Sequence, residues 1–130
     1  MFGGKLTGGK VTGKGGGGAI ALDDQQCIFN MYGGEISGNN GNNYGGAIFR
    51  KFNANMPNTT GGTISGNKAT QSNNDAGGGA IYMRGNGKID ISGSAEITGN
   101  SSSLDGGAIL MGWGTINISD SAKINNNTAS

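Results

Sequence analysis

The phrase Gly-Gly-Ala-Ile occurs four times in this chain, and this repetition restricts the possible folds more than any other feature of the sequence. The copies occupy residues 17–20, 45–48, 78–81 and 106–109. A second phrase, an apolar residue followed by Ser or Thr, Gly and Asn in its best copies, alternates with the first. Its central residues are Val11, Ile36, Ile64, Ile97 and Ile124, which lie 25, 28, 33 and 27 residues apart. Because both phrases return at nearly the same interval, we interpret the chain as a repeat protein.

The composition argues against a fold built around one thick core. Only 33% of the 130 residues are hydrophobic and 29 are glycine, so little apolar surface is available to offset the backbone entropy lost on folding. Such a composition usually indicates disorder. Here, however, the apolar residues return at the same place in every repeat, and stacked repeats can build a continuous core from few of them.

A third phrase, two apolar residues separated by one polar residue, completes the repeat. It is found at Phe29 and Met31, at Ile89 and Ile91, and at Ile116 and Ile118, with Leu6 and Met56 as weaker copies. Each repeat thus holds three short segments of period two, separated by clusters of Gly, Asn, Asp and Ser that favour turns. No segment keeps helical apolar spacing. We therefore predict an all-β fold, a single-stranded parallel β-helix with three strands per coil.

We predict that residues 1–130 form one β-helix domain of about four to five coils. The predicted coils are approximately residues 1–27, 28–55, 56–88 and 89–115, followed by a partial coil at 116–130. Like residues of successive coils should then stack in columns. Ile64 and Ile97 are expected to be buried in one such column, and each buried Ile stabilises the fold by about 1.5–3 kcal/mol.

The asparagine that closes the second phrase predicts a second kind of column. Asn39, Asn67, Asn100 and Asn127 follow a residue that should take the left-handed bend that glycine and asparagine tolerate. Their amides should stack as a hydrogen-bonded ladder along one corner. The segment between this asparagine and the next Gly-Gly varies most in length, so we call it the variable corner, and we expect substitution of Ser102 within it to be nearly silent.

The repeated Gly-Gly-Ala-Ile plus an apolar or aromatic residue, alternating with Ile-Ser-Gly-Asn, resembles the repeats of bacterial surface β-helix proteins. These are the polymorphic outer-membrane proteins and the large adhesin-like repeat proteins of gut and rumen bacteria. The similarity covers nearly the whole chain and is best at residues 45–49 and 78–82. It implies a right-handed β-helix, a location outside the cell, and a passenger or stalk role, and it implies no catalytic residue.

One row of apolar residues is expected on the outside of the coils. If the isoleucines of Gly-Gly-Ala-Ile point inward, the next residues, Ala21, Phe49, Tyr82 and Leu110, point outward. We predict that the variable corner, a neighbouring molecule or a glycan covers this row, and that Phe49, Tyr82, Leu110 and the turn residue Trp113 are the candidate binding or assembly residues.

Charge and targeting signals give mostly exclusions. The net charge is +1 and the nine Lys and Arg residues are scattered, so we expect no nucleic-acid binding. No apolar run approaches the ~20 residues that span a bilayer, so we expect no membrane insertion. The chain shows no signal peptide, and an exported protein is expected to have lost it. The single Cys27 allows no intrachain disulfide and is expected to be a buried apolar residue.

The sequence shows no pattern that predicts chemistry. There is no histidine to act as a general base, and the adjacent Asp23 and Asp24 should point to opposite faces of a strand. No carboxylate column of the kind that binds calcium is present either. We therefore expect no catalytic residue, no cofactor and no metal site.

The sequence favours a non-enzymatic structural or adhesin-like module of a bacterial cell-surface or secreted protein. Its expected partner is another protein, including further copies of itself, or a surface glycan. One alternative is an extracellular fibre subunit that stacks head to tail through its coil ends. A second is a β-helix protein that binds or cleaves polysaccharide.

Overall fold

A computed structural model describes residues 1–53, 58–70 and 76–130. Within these residues the protein is all-β, with no helix and hence none that is long and apolar enough to cross a membrane. In chain order the strands are β1 (Lys5–Thr7), β2 (Ile20–Leu22), β3 (Glu35–Ser37), β4 (Asn40–Asn42), β5 (Ile48–Arg50), β6 (Thr63–Ser65), β7 (Lys68–Ala69), β8 (Ile81–Ile91), β9 (Glu96–Thr98), β10 (Ser101–Ser102), β11 (Ile109–Ile118), β12 (Lys123–Asn125) and β13 (Thr128–Ala129).

The strands form three parallel sheets in which each strand pairs with its counterpart from the next repeat. The first, which we call the Ile sheet, has the order β1-β3-β6-β9-β12; the corner sheet has the order β4-β7-β10-β13; and the GGAI sheet has the order β2-β5-β8-β11. Every pairing is parallel. The chain is therefore a β-solenoid of about four turns, as the alternating phrases predict.

Apolar columns fill the interior of the solenoid. Ile36, Ile64 and Ile97 stack in the Ile sheet, and none of them exposes any surface to solvent. Ile48 and Ile81 stack in the same way in the GGAI sheet and are 1% exposed. These residues pack because parallel in-register strands repeat the same side chain at each rise of about 4.8 Å. The predicted burial of Ile64 and Ile97 is confirmed.

The first coil differs from the alignment that the sequence suggests. Leu6, not Val11, pairs with Ile36, whereas Val11 N–H donates to the Asn40 carbonyl at 2.9 Å beside the corner sheet. The alignment on Val11 was wrong because residues 5–9 and 10–14 both contain an apolar residue, Thr and Gly in succession. Gly8 decides between them, since its φ of 71° matches the left-handed bend of Gly38 at 61°.

The three sheets are confirmed, but one of them arises from a different segment than predicted. The variable corner supplies the third sheet, because the residues after each ladder asparagine pair with one another. Ser102 lies in β10 and is only 3% exposed. The expectation that its substitution is nearly silent assumed an exposed loop, and the structure removes that assumption.

The third phrase, in contrast, adds no separate sheet. In the last two full coils it continues the GGAI strands, which makes β8 and β11 long at 11 and 10 residues. Thr59 occupies the third-phrase position that follows β5, bridging Met31 and Ile91. Met56, the copy suggested by the sequence, lies outside the described residues.

Candidate functional site

The asparagine ladder is present, and its geometry shows what it does. Asn39, Asn67 and Asn100 each donate from Nδ2 to Oδ1 of the next asparagine at 2.9 Å, ending at Asn127. Each also donates from Nδ2 to a main-chain carbonyl of the preceding coil, as Asn67 does to Ile36 at 2.9 Å. Because donors and acceptors of the three inner rungs are buried and occupied, the ladder ties coils together.

The ladder starts at a glycine. Gly9 N–H donates to Asn39 Oδ1 at 2.9 Å, so Gly9 holds the rung position of the first coil without a side chain. A Cβ at this position would come within 2.1 Å of the Gly18 carbonyl oxygen, so the first coil has no room for an asparagine without a backbone shift.

The predicted outer row lies on the GGAI sheet, and Tyr44 covers part of it. Phe49 and Tyr82 are in register on β5 and β8 and are only 4% and 6% exposed. The Tyr44 ring stacks on Phe49 with centroids 4.9 Å apart and tilts against Tyr82 at 5.6 Å. Tyr44 belongs to the variable corner, so a segment of the chain itself covers these two rings. We call Tyr44, Phe49 and Tyr82 the aromatic cluster.

Of the remaining predicted stripe residues, Leu110 adjoins this cluster and Trp113 lies apart from it. Leu110 pairs with Tyr82 in the same row and is half-buried. Trp113 lies beyond a β-bulge in β11, pairs with Asn86 and is 71% exposed. The structure therefore brings together Phe49, Tyr82 and Leu110 but not Trp113. Their role in binding or assembly stays a prediction.

A charged row runs beside the aromatic cluster, and the sequence analysis missed it. Asp23, Lys51 and Arg84 follow inward-facing residues of β2, β5 and β8 that pair in register, and all three are exposed. The alternation that predicts the apolar row also predicts this one, two residues further along each strand. Lys51 Nζ lies 5.1 Å from the centroid of the Phe52 ring.

Residues of these two rows, Tyr44 and the loop at 14–16 line an open cleft of about 270 Å³. Its polar and aromatic lining consists of Lys14, Asp23, Tyr44, Phe49, Lys51 and Arg84. Gly16 forms part of the wall, where a Cβ would lie 2.8 Å from Phe49 Cδ1 and 2.9 Å from Ala21 Cβ. This cationic cleft combines three positive side chains, one carboxylate and two rings.

Two other clefts offer less varied chemistry. One of about 320 Å³ is lined by Asp24, Gln25, Gln26 and Phe52. The other, of about 260 Å³, follows a polar column in which Asn117 Nδ2 donates to Asp90 at 2.9 Å. Lys88 lies 2.8 Å from Asp90, and its ammonium group holds the pKa of that carboxyl below its ordinary value. Neither cleft joins several cations to an aromatic surface.

Among the described residues, Arg50 is the charged side chain that lies buried in the interior. It is fully buried in the column of Leu22 and Met83, where the sequence pattern predicts an apolar residue. Its guanidinium donates to the Cys27 carbonyl at 2.6 Å and the Gln25 carbonyl at 3.0 Å, while Nε has no partner among the described residues. These contacts tie the corner after β2 to β5, and the position is structural.

Across the described ranges, no three Asp, Glu, His or Cys side chains cluster closely enough to hold a metal ion. Comparison of the chain with protein-family models, with curated proteins and with solved structures gives no match. The structure thus establishes a parallel β-solenoid with an asparagine ladder, and the likeness to bacterial surface repeats rests on the sequence motifs.

Proposed function

We propose that this chain is a non-enzymatic, adhesin-like structural module of a bacterial cell-surface or secreted protein. The observation that carries the proposal is the stack of three parallel sheets, held by interior columns and by the asparagine ladder. In such a stack each coil contacts only its neighbours, so stability grows with the number of coils. Such a stack extends along one axis as coils are added, which suits a stalk or a passenger.

The outer surface supports the same proposal. The loops at 14–16 and around Tyr44 differ between coils, whereas the buried columns repeat almost unchanged. Solenoids collect such variation on the face that meets partners. The resemblance of the two phrases to bacterial surface repeats adds the cellular location.

Antibodies raised against the folded chain test this location. They should label intact, unpermeabilised cells of the bacterium that encodes the protein, or detect it in the culture medium. Brief protease treatment of intact cells should remove the signal, while a cytoplasmic marker persists. Labelling that requires permeabilised cells would contradict the proposal.

A second experiment tests the absence of enzymatic activity. Uronate polysaccharides incubated with the chain should yield no new reducing ends, and turnover lost in Asp23→Asn would argue for an enzyme instead.

Stacking into a fibre is the second candidate, and the phase of the end coils favours it. The inward Leu6 of β1 belongs to the same column as Ile124 of β12. Likewise β2 and β11 carry Ile20 and Ile109 in one column. A second copy placed on the C-terminal edge would therefore continue the apolar columns, and such a contact would propagate because it does not close.

A further inference from the structure

We propose that the cationic cleft binds a carboxylated sugar residue of an acidic polysaccharide, with the carboxylate on Lys51 and Arg84 and the sugar ring on Tyr44. The proposal rests on the proposed function, because it names the partner class of an extracellular module. It concerns the outer surface alone and requires no bond to be made or broken.

The strand register places Lys51 and Arg84 close enough together for one carboxylate of the sugar to contact both side chains. Arg50 and Met83 pair directly in adjacent coils, and Lys51 and Arg84 are the residues that follow them. Their Cα atoms are accordingly about one strand spacing, about 4.8 Å, apart. Lys and Arg so close together form a local positive field that attracts a carboxylate. Lys14, which also lines the cleft, adds a third positive charge.

The aromatic cluster supplies the other half of the recognition. One face of the Tyr44 ring is packed on Phe49, yet the residue is only half-buried and lines the cleft. Aromatic rings at a partly wet surface suit ligands that have one apolar face and polar edges. A pyranose ring with its C–H face on Tyr44 and its carboxylate toward Lys51 matches this arrangement.

The size of the cleft and its charge favour a sugar over other anions. A volume of about 270 Å³ lies at the small end of ligand pockets, which suits one sugar ring within a longer chain. Asp23, which also lines the cleft, opposes highly charged ligands. A nucleic acid or a membrane surface needs an extended basic face, whereas the chain has a net charge of +1.

Titration with tetragalacturonate, followed by calorimetry and by amide chemical shifts, tests the proposal. We expect binding with a Kd on the order of 0.1–1 mM, as befits a small exposed site. The fully methyl-esterified tetramer keeps the sugar rings but lacks the charge, and it should bind about tenfold more weakly. The shifts of bound protein should centre on residues 14–16, 44 and 51.

Variants separate the two halves of the site. Lys51→Gln with Arg84→Gln should weaken binding about tenfold, because two exposed ionic contacts are lost. The matched control, Lys68→Gln with Lys123→Gln, removes two exposed lysines of the other sheets and should leave affinity unchanged. Tyr44→Phe should bind like the unaltered chain, Tyr44→Leu should bind more weakly, and Asp23→Asn should bind more tightly.

Each contrary outcome overturns the cleft proposal. It fails if acid and ester bind equally, if the control pair weakens binding as much as the cleft pair, or if no binding occurs up to about 10 mM. Stronger binding of DNA or anionic vesicles that the control pair also abolishes would indicate a diffuse charge effect instead. All variants must keep the β-sheet circular dichroism spectrum. Failure here leaves the surface-labelling result untouched, so the two proposals fail separately.

Discussion

At the scale of single residues, the middle rungs of the ladder should matter most. Asn67 accepts the backbone N–H and the Nδ2 of Asn39 and donates to Asn100 and Ile36, entirely within the interior. Asn67→Ala should lower the free energy of unfolding by about 3 kcal/mol, because it leaves several buried groups without partners. Asn127→Ala, at the half-buried last rung, should cost less than about 1 kcal/mol, since water can replace it. Equal losses in urea unfolding would show that the ladder contributes no special stability.

Replacement of the buried Arg50 by an apolar residue should stabilise the fold, in contrast to replacement of Asn67. Arg50→Met restores the apolar column of Leu22 and Met83, and it removes a buried charge whose Nε finds no partner in the part of the chain that the structure describes. Replacing buried ionic groups by well-packed apolar ones is often stabilising, so we expect a gain of about 1 kcal/mol. Arg50→Ala should instead lose about 3 kcal/mol by leaving a cavity. A thermal unfolding midpoint for Arg50→Met below that of the unaltered chain would mean that the two carbonyl contacts outweigh the buried charge.

Residues also show where sequence reasoning reaches its limit. The burial of Ile64 and Ile97 and the ladder of asparagines could be predicted because these residues return at the same place in successive coils. Arg50 could not, since a single charged residue in an apolar column leaves no periodic signal. The cationic cleft depends on how the loop at 14–16 and Tyr44 fold back over the GGAI sheet, and this contact between distant segments has no counterpart in strand alternation.

At the scale of elements, the first coil is where pattern alone is ambiguous. Residues 5–9 and 10–14 both read as an apolar residue, Thr and Gly, so either could form the first strand. Pairing resolves the choice. With residues 5–7 as the first strand, Lys5 Nζ lies 2.7 Å from Glu35 Oε2, and Gly9 N–H donates to Asn39 Oδ1. The corner sheet was missed for a related reason. Its strands are only two or three residues long, too short to show alternation.

The pairing of β1 with β3 should be measurable through pH. The Lys5 ammonium, followed by the Ser37 hydroxyl, lowers the pKa of Glu35 from its ordinary value of 4.5. A lowered pKa in the folded state gives stability that is fully present above pH 4.5 and is lost as the pH falls through the folded pKa. Glu35→Gln should therefore flatten the decline in stability between neutral and acidic pH in urea unfolding.

The same pair provides an internal control. Lys5→Gln should flatten the decline in a similar manner, because it removes the largest cause of the shift. Combining Lys5→Gln with Glu35→Gln should add little to Glu35→Gln alone, since the two residues act through one contact. An unchanged pH dependence in Glu35→Gln would mean that the strand edge is open in solution and that the ion pair rarely forms.

At the scale of the whole molecule, the strands that close each sheet at the two ends of the stack have no further pairing partner among the described residues. β11, β12 and β13 end their sheets on one side, and β1, β2 and β4 end them on the other. Such edges are templates for further strands. The apolar columns match across a junction between two copies, but two features oppose it. Gly9 brings no side chain to the rung above Asn127, and Lys5 would lie opposite Lys123.

Reversing the charge at Lys123 should therefore strengthen head-to-tail association. In the described coils Lys5 lies 2.7 Å from Glu35, and Lys123→Glu would recreate this pair between the end of one copy and the start of the next. Opposite charges directly across a strand pair contribute about 0.2–1 kcal/mol, so association should tighten up to about fivefold, and added salt should reduce the gain. Sedimentation velocity over rising protein concentration measures the strength of this association directly.

Lys68→Glu, which makes the same charge change on an inner strand of the corner sheet, is the matched control. If both variants associate alike, or Lys123→Glu associates no more than the unaltered chain, the coil ends do not stack in register and the fibre candidate is lost.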